Sequence, residues 1–316
     1  MRSQSTKNTS ARQVDKFRQF ARVVVEHHFG SRAALIKYRS GGLSNFVFEA
    51  KHAEGTFIVR ISPDKAGLTA FVKEHWCERE ARRAGIPTAE ILETGFSIIL
   101  FPYVISRSVA GVEGVDHPER DSIVTELGRM AAKINAIATR GFGESFDWSN
   151  NQLSRNNTLK EYLENEYGYE KRIETLARSS VCPTTTIKAL KRVCREMLGL
   201  RAKPTLSHGD VRLKNVIADK KGKILAVIDW EKATSNVAPH WELSLALHDL
   251  DIDRRERFID GYGIKPKRLA EIAPYIKAFN LLNYTDAIDL AMDAKDKASL
   301  DRLRSRLSGT FDLYSL

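Results

Sequence analysis

The chain is poor in cysteine and has no long apolar run. Its 316 residues include three cysteines, Cys77, Cys182 and Cys194, and none of them forms a CxxC pair. This excludes a disulfide scaffold, argues against a zinc cluster and fits a reducing compartment. No apolar stretch approaches the ~18–20 residues of a membrane span, and the first ten residues lack the apolar core of a secretion signal. We expect a cytoplasmic protein that does not contact a membrane.

Charge and composition narrow the class of protein further. Apolar residues make up 42% and charged residues 28%, which is typical of a globular protein. The formal net charge is +10, and residues 1–110 carry seventeen Lys and Arg against ten acids. Such an excess can indicate nucleic-acid binding, but zinc-finger spacing, an RNP-like aromatic stretch and a basic low-complexity arm are all missing. We therefore expect a phosphate pocket on a basic surface, no nucleic-acid partner, and a monomer or weak dimer.

The first hundred residues predict a small antiparallel sheet. Residues 1–10 are polar and predicted to be flexible. A capping box at Ser10 and Gln13 begins a predicted helix that ends at Gly30. The segments that follow are rich in β-forming residues or bounded by glycine. They predict strands at Ala33–Tyr38, Phe46–Lys51, Thr56–Ser62, Ala89–Glu93 and Ser97–Ile105, with a helix at Leu68–Ala84 after the third strand.

Beyond a connector near residues 104–112 the chain becomes helical, apart from a β island at Thr205–Trp230. Predicted helices are His117–Ile137, Leu159–Leu176, Thr184–Leu198, Trp241–Leu250, Asp253–Tyr262, Arg268–Met292 and Lys295–Leu307. The pattern predicts an α+β chain with a small antiparallel N-lobe (11–104), which would form a nucleotide roof. A larger, mainly helical C-lobe (105–316) would carry the catalytic loop and the acceptor site. This is the outline of the two-lobed, protein-kinase-like fold.

Two short motifs carry the chemistry. Residues 208–215 are HGDVRLKN, and across a predicted hairpin turn at Asp219–Lys223 residues 226–231 are AVIDWE. An acid at the start of a loop can accept the proton of an attacking hydroxyl, while an amide oxygen five residues later can reach a magnesium ion. A second acid, fourteen residues after Asn215, can hold the magnesium that bridges nucleotide phosphates.

The pair of motifs resembles the aminoglycoside phosphotransferase family, whose relatives include choline, homoserine and fructosamine kinases. The family writes its catalytic loop as HGD, four residues and Asn, and its metal segment as an apolar strand ending in IDW or IDF. The resemblance implies ATP and Mg²⁺ as cofactors. It also implies Asp210 as catalytic base, with Asn215 and Asp229 as magnesium ligands.

The resemblance also implies a nucleotide site in the N-terminal third. Small residues at Gly41, Gly42 and Ser44 would let backbone N–H groups approach phosphates, although glycine also serves ordinary hairpin turns. Arg60 stands on the third strand, where many family members place their phosphate-pairing cation. A solvated strand arginine is the alternative.

The partner of Arg60 and the adenine contacts follow from the same resemblance. Glu74 lies thirteen residues before Pro87, which matches the family's spacing, but Glu78 is one helical turn away on the same face. Either could be the partner, and Glu74 is favoured. Residues 103–107, with Val104 and Ser106, resemble the family's hinge, which binds adenine through backbone groups. This hinge and the Arg60 strand are similar to those of hygromycin B kinases.

Two positions near the motifs leave alternatives open. Arg212, two residues after the proposed base, could act in catalysis on the γ-phosphate or form a surface pair. The family usually shows Asp-Leu-Ala after the metal motif, and this chain has Trp241-Glu242-Leu243 there, so Glu242 is expected to replace that structural acid.

The acceptor is the least determined part. Sites that bind polycationic aminoglycosides tend to be lined with acids, and candidates are Glu231, Asp249 and Asp286. Each could equally lie on a solvated face. The resemblance implies an ATP-dependent kinase of a small-molecule hydroxyl, with antibiotic resistance or choline, homoserine or sugar metabolism as its context. A catalytically silent kinase-like module and a protein kinase are the alternatives.

Overall fold

The computed structural model describes residues 11–40, 45–96, 101–147, 150, 152–248 and 250–308. The predicted flexible segment 1–10, with Ser10 of the capping box, lies outside the described residues. In the N-terminal third the elements are α1 (Ala11–Phe29), β1 (Leu35–Arg39), β2 (Phe46–His52), β3 (Gly55–Ile61), α2 (Gly67–Arg83), β4 (Ile91–Phe96), β5 (Pro102–Arg107) and β6 (Val112–Glu113).

The rest of the chain is mainly helical, with short strands. The elements are α3 (Arg120–Asn135), β7 (Phe146–Asp147), β8 (Gln152–Leu153), α4 (Leu159–Glu161), a π-helical turn (Tyr162–Glu166), α5 (Tyr169–Ser179), α6 (Thr184–Leu198), β9 (Thr205–Ser207), β10 (Val216–Ala218), β11 (Ile224–Val227), β12 (Thr234–Asn236), α7 (His240–Ala246), α8 (Ile252–Tyr262), α9 (Pro266–Asn283), α10 (Thr285–Asp293) and α11 (Lys297–Ser308). Among the described residues, no helix is long and apolar enough to cross a membrane.

The chain forms two compact units. Of the described residues, those up to 120 and those in 213–231 form the sheet unit, and those in 121–212 and from 232 onward form the helical unit. The chain therefore enters the sheet unit a second time after Arg212 and leaves it after Glu231. The predicted lobes, 11–104 and 105–316, divide the chain by function, and that division stays a prediction.

The sheet unit confirms the predicted antiparallel sheet. Its five strands lie in the order β1-β2-β3-β5-β4, and α2 is inserted between β3 and β4. Helix α1 buries one face, formed by Phe17, Ala21, Val24 and Val25, in the same apolar cluster as the sheet residues Phe48, Phe57 and Ile61. This spacing of apolar side chains is that of an amphipathic helix. Strand β10 pairs with β11 and with β6, which joins residues 213–231 to this unit.

Two predicted helices of the helical unit are interrupted. The segment Leu159–Leu176 consists of α4, the π-helical turn and α5, because Gly168 adopts a left-handed conformation before α5 (φ 64°). The segment Arg268–Met292 consists of α9 and α10, because the chain turns at Tyr284 and the Thr285 hydroxyl bonds the Leu282 carbonyl at 2.7 Å. Helical periodicity is similar on both sides of each break, so it could not reveal them.

Helices α3 and α8 approach each other closely at two glycines. A methyl group added at Gly128 would lie 2.2 Å from the Phe258 carbonyl oxygen, and one added at Gly261 would lie 1.9 Å from the Thr125 carbonyl oxygen. Both contacts are with backbone, which cannot rotate away. The two glycines therefore set the distance between α3, which ends at Asn135, and α8, which ends at Tyr262.

We expect Gly261→Ala to lower the free energy of unfolding by about 1–3 kcal/mol, the usual cost of overpacking, despite the better helix propensity of alanine. Gly199→Ala is the matched control, since a methyl group there meets its nearest atom at 3.5 Å. Urea unfolding followed by circular dichroism measures both. Equal midpoints for Gly261→Ala and the wild type would show that the helices are not held at this distance.

Candidate active site

The first motif begins where β9 ends, in the helical unit. Strand β9 pairs with β12, with Ser207 opposite Thr234, and the chain then turns through His208 and Gly209. Gly209 has a φ of 75°, and a methyl group there would lie 2.2 Å from the Lys232 carbonyl oxygen. Only glycine meets both demands without strain. The His208 ring is fully buried and accepts the Asp210 N–H at Nδ1 (3.3 Å).

Glu242 stabilises this turn through hydrogen bonds to its backbone, at the position where a structural acid is expected. Its carboxylate accepts the N–H of His208 at Oε2 (2.7 Å) and the N–H of Gly209 at Oε1 (3.2 Å). Complete burial raises the pKa of Glu242 to about 7, although these hydrogen bonds favour the ionised form and oppose the rise; the charge of Asp210 adds to it. The expectation that Glu242 is a structural acid is confirmed.

Asp210 and Arg212 form an ion pair. The Asp210 carboxylate is 9% exposed, whereas a third of the Arg212 side chain is exposed. The candidate base is therefore nearly enclosed and has a guanidinium beside it. Arg212 thus forms an ion pair with the candidate base, and its role on the γ-phosphate stays a prediction. A partly exposed arginine in this position can also meet an incoming phosphate.

Asn215 and Asp229 lie at one end of the β10–β11 pair, in the sheet unit. Asn215 ends a 3₁₀ turn (Leu213–Asn215), is buried, and accepts the N–H of Ile228 at its backbone oxygen (3.0 Å). Asp229 is the next residue and has a left-handed φ of 68°. The hairpin thus brings the backbones of the two candidate metal ligands side by side. A carboxylate and an amide offer oxygen ligands, which suit Mg²⁺, so this pair fits the expected metal.

Arg60 and Glu74 form an ion pair in the same unit, with Nη2 and Oε2 2.6 Å apart; the Glu74 side chain is buried, and the Arg60 side chain is 20% exposed. Burial alone would lower the pKa of Arg60, but the Glu74 carboxylate, with the charges of Asp229 and Glu231, raises it. The Arg60 guanidinium is therefore charged, and it interacts electrostatically with Asp229, the candidate magnesium ligand. The role of Arg60 as the phosphate-binding cation stays a prediction.

Glu78, the alternative partner of Arg60, is used elsewhere. Its Oε1 accepts hydrogen bonds from Arg82 and from the Thr88 hydroxyl. One helical turn separates Glu74 from Glu78 on α2, but their partners differ. Glu74 pairs with Arg60 of β3, whereas Glu78 connects the end of α2 to the segment before β4.

The predicted adenine contacts lie within the sheet. Val104 pairs with Arg60 of β3 and with Thr94 of β4, and Ser106 pairs with Ile58 and Ile91. Strand β5 is therefore flanked on both sides, and backbone outside the ladder begins only after Ser108, which donates to the Thr56 carbonyl. The adenine role of Val104 and Ser106 stays a prediction. Gly41, Gly42 and Ser44 of the predicted phosphate loop lie outside the described residues.

The candidate acceptor acids are not alike. Glu231 is exposed in the 3₁₀ turn Trp230–Lys232, directly after the metal motif. Asp286 is exposed on α10 and pairs with Arg172 of α5 (3.2 Å), and its role as an acceptor acid stays a prediction. Asp249 lies outside the described residues.

Two residues of this site were not predicted from the sequence. Asn135 donates from Nδ2 to Glu242 Oε2 (3.4 Å), and Tyr262 donates to Asn135 Oδ1 (2.8 Å). Neither belongs to a motif, and their distance along the chain from the HGD turn leaves no local pattern that could have identified them.

Comparisons with known proteins identify the family and the fold of the chain. A family model, the phosphotransferase enzyme family, matches residues 36–275. No protein of curated function matches the chain in sequence. The crystal structure of aminoglycoside phosphotransferase APH(4)-Ia is similar to this chain, with 20% identity and a TM-score of 0.70 over 96% of this chain and 99% of that one.

Two ligand complexes are also similar in structure. A thermostable APH(4)-Ia mutant in ternary complex with AMP-PNP and hygromycin B has 19% identity and a TM-score of 0.67, over 93% of this chain and 98% of that one. The GDP complex of wild-type aminoglycoside 2'-phosphotransferase-IIIa has 13% identity and a TM-score of 0.66, over the same shares. These likenesses confirm the predicted protein-kinase-like fold. With the family match over most of its length, the chain belongs to the phosphotransferase enzyme family, a family of small-molecule O-phosphotransferases.

Proposed function

We propose that this protein transfers the γ-phosphate of ATP, with Mg²⁺, to a hydroxyl group of a small molecule, either an aminoglycoside-type antibiotic or a related metabolite. The observation that carries the proposal is the placement of Asn215 and Asp229 at one end of a hairpin, with Arg60 in the field of Asp229. A nucleoside triphosphate binds together with magnesium. Its site therefore needs oxygen ligands for the metal and a cation near the phosphates. The cytoplasm, which holds ATP and magnesium, is the proposed location.

Each residue has a defined task in this proposal. Asp210 accepts the proton of the acceptor hydroxyl as the oxygen attacks phosphorus. Arg212, which contacts Asp210, neutralises charge on the transferred phosphate. Arg60, oriented by Glu74, holds the phosphates that stay with the nucleotide. Asn215 and Asp229 hold the magnesium ion, which when bound offsets the negative charge of the phosphates.

The acceptor class is open between two groups. The similarity of fold to a hygromycin B complex supports an aminoglycoside, and exposed Glu231 offers a carboxylate for a cationic substrate. The net charge of +10 favours an acceptor that is less cationic, such as a choline, homoserine or sugar. At short range the charge of Glu231 acts more strongly on a bound substrate than the net charge of the whole chain does. The aminoglycosides are therefore tested first.

An acceptor screen tests the function. Consumption of ATP with magnesium is measured against hygromycin B, kanamycin, spectinomycin, choline, homoserine and simple sugars, with mass spectrometry to detect the phosphorylated product. Asp210→Asn is the blank and is expected to lose at least about a hundredfold in kcat, the usual contribution of a general base, while it still binds ATP. Transfer that survives in Asp210→Asn would refute the assignment of the base.

Asp229→Asn is expected to weaken magnesium-dependent ATP binding at least about tenfold. Asparagine tolerates the left-handed backbone of residue 229, so the change removes the charge without straining the turn. Calorimetric titration with ATP, with and without magnesium, measures the effect. The control is Asp219→Asn in the same hairpin, where the carboxylate accepts the Lys221 and Lys223 N–H groups. Equal loss in both variants would mean a damaged hairpin rather than a metal site.

Glu74→Gln is expected to weaken ATP binding about tenfold, because Arg60 loses the charge that orients it. Glu78→Gln is the matched control, since it is also buried on α2 but binds Arg82 and Thr88. Both variants are expected to lose some thermal stability, whereas only Glu74→Gln should change the ATP dissociation constant. Similar weakening in both would count against Arg60 as the phosphate cation.

A further inference from the structure

A line of hydrogen bonds runs from helix α8 to the loop that carries Asp210. Tyr262, the last residue of α8, donates its hydroxyl to Oδ1 of Asn135 (2.8 Å). Asn135, the last residue of α3, donates from Nδ2 to the Leu206 carbonyl (3.0 Å) and to Glu242 Oε2 (3.4 Å). Glu242 in turn accepts the first two N–H groups of the HGD turn. All of these residues belong to the helical unit.

The Leu206 carbonyl and the Glu242 carboxylate select one orientation of the Asn135 amide, and the Tyr262 hydroxyl holds the amide there by donating to its oxygen. An amide has one acceptor oxygen and one donor NH₂ group. With the hydroxyl donating to Oδ1, the NH₂ group faces two acceptors, the Leu206 carbonyl and the Glu242 carboxylate. If the amide turned over, its oxygen would face both of them and three acceptors would meet without a proton. Asn135 is 6% exposed, so water cannot easily supply the missing donor.

We propose that Tyr262 is a positioning residue for phosphoryl transfer: its hydroxyl fixes the Asn135 amide, which keeps the Glu242 carboxylate on the turn that places Asp210. The proposal rests on the proposed function for its effect on catalysis, but not for its structural part. The close approach of α3 and α8 at Gly128 and Gly261 keeps the two ends of this line within reach.

The ionised form of Glu242 is the one that fits the turn. Oε1 and Oε2 each face a backbone N–H group, so a proton on either oxygen would oppose a donor. The charged or titratable groups that act on this carboxylate are Asp210 on the loop and Tyr262 on α8. Loss of the Asn135 donor raises the pKa of Glu242, and the pH at which the turn loosens rises with it.

Hydrogen exchange in the full-length protein tests the structural part. Tyr262→Phe removes one hydroxyl and keeps the ring, and the peptide that covers residues 206–212 is expected to exchange at least about threefold faster. Tyr169→Phe is the matched control, because its hydroxyl donates to the Glu170 carboxylate (3.1 Å), away from this line. Asn135→Asp, which sets a second carboxylate against Glu242, should exceed Tyr262→Phe. Unchanged exchange in both Tyr262→Phe and Asn135→Asp would overturn the proposal.

Kinetics test the catalytic part. With Mg-ATP and the best acceptor of the panel, or with water as acceptor if none reacts, Tyr262→Phe is expected to lower kcat about three- to tenfold. The KM for ATP should stay within about twofold. The acid side of the kcat profile should move to higher pH by about half a unit. An unchanged pH profile, or an equal loss in Tyr169→Phe, would mean a general effect on stability and would overturn the positioning role. If the wild type neither transfers phosphate nor hydrolyses ATP, the proposed function fails, while hydrogen exchange still decides the structural line.

Discussion

The interaction on which the candidate site depends is a buried carboxylate that accepts two backbone N–H groups. Glu242 accepts the N–H groups of His208 and Gly209, the two residues that follow the end of β9. Without it, two N–H groups would be left unpaired in the interior, at a cost of about 1–3 kcal/mol each. The same contact determines where the chain leaves β9, and so where Asp210 stands. The 3₁₀ turn, Asn215 and the β10–β11 hairpin follow from that point along the chain.

Charge is arranged differently in the two units. In the helical unit one carboxylate, Asp210, is enclosed and paired with Arg212. In the sheet unit three acids act on one cation, Arg60. Glu74 forms an ion pair with it, and the charges of Asp229 and Glu231 help to raise its pKa. Under the proposed function, magnesium would engage Asp229 and leave Arg60 to the phosphates. A site with three acids and one cation binds a metal ion and a polyanion together more favourably than it binds either alone, because their charges offset each other.

Sequence patterns predicted the sheet well and the helices less well. A period of two predicted all five strands of the sheet, but the strand predicted at Ala89–Glu93 is β4 at Ile91–Phe96, which continues through Gly95 because it pairs there with Tyr103 of β5. The breaks at Gly168 and Tyr284 were missed, because a helical pattern continues across them. The acceptor role of Asp286 stays a prediction for a related reason. An acidic helix face looks the same whether it meets solvent, a substrate or, as here, an arginine on another helix.

The two motifs needed only the sequence. Their spacing is set by a short turn and a hairpin, which are local structures. Asp210, Asn215 and Asp229 could therefore be identified as candidates before the tertiary structure was known. Packing alone decided the rest. Glu74 and Glu78 share a helix face, and only the position of β3 selects Glu74 for Arg60. Glu242 lies 34 positions from His208, and Tyr262 lies 127 positions from Asn135. Contacts over such separations arise from the way helices pack, which no local pattern encodes.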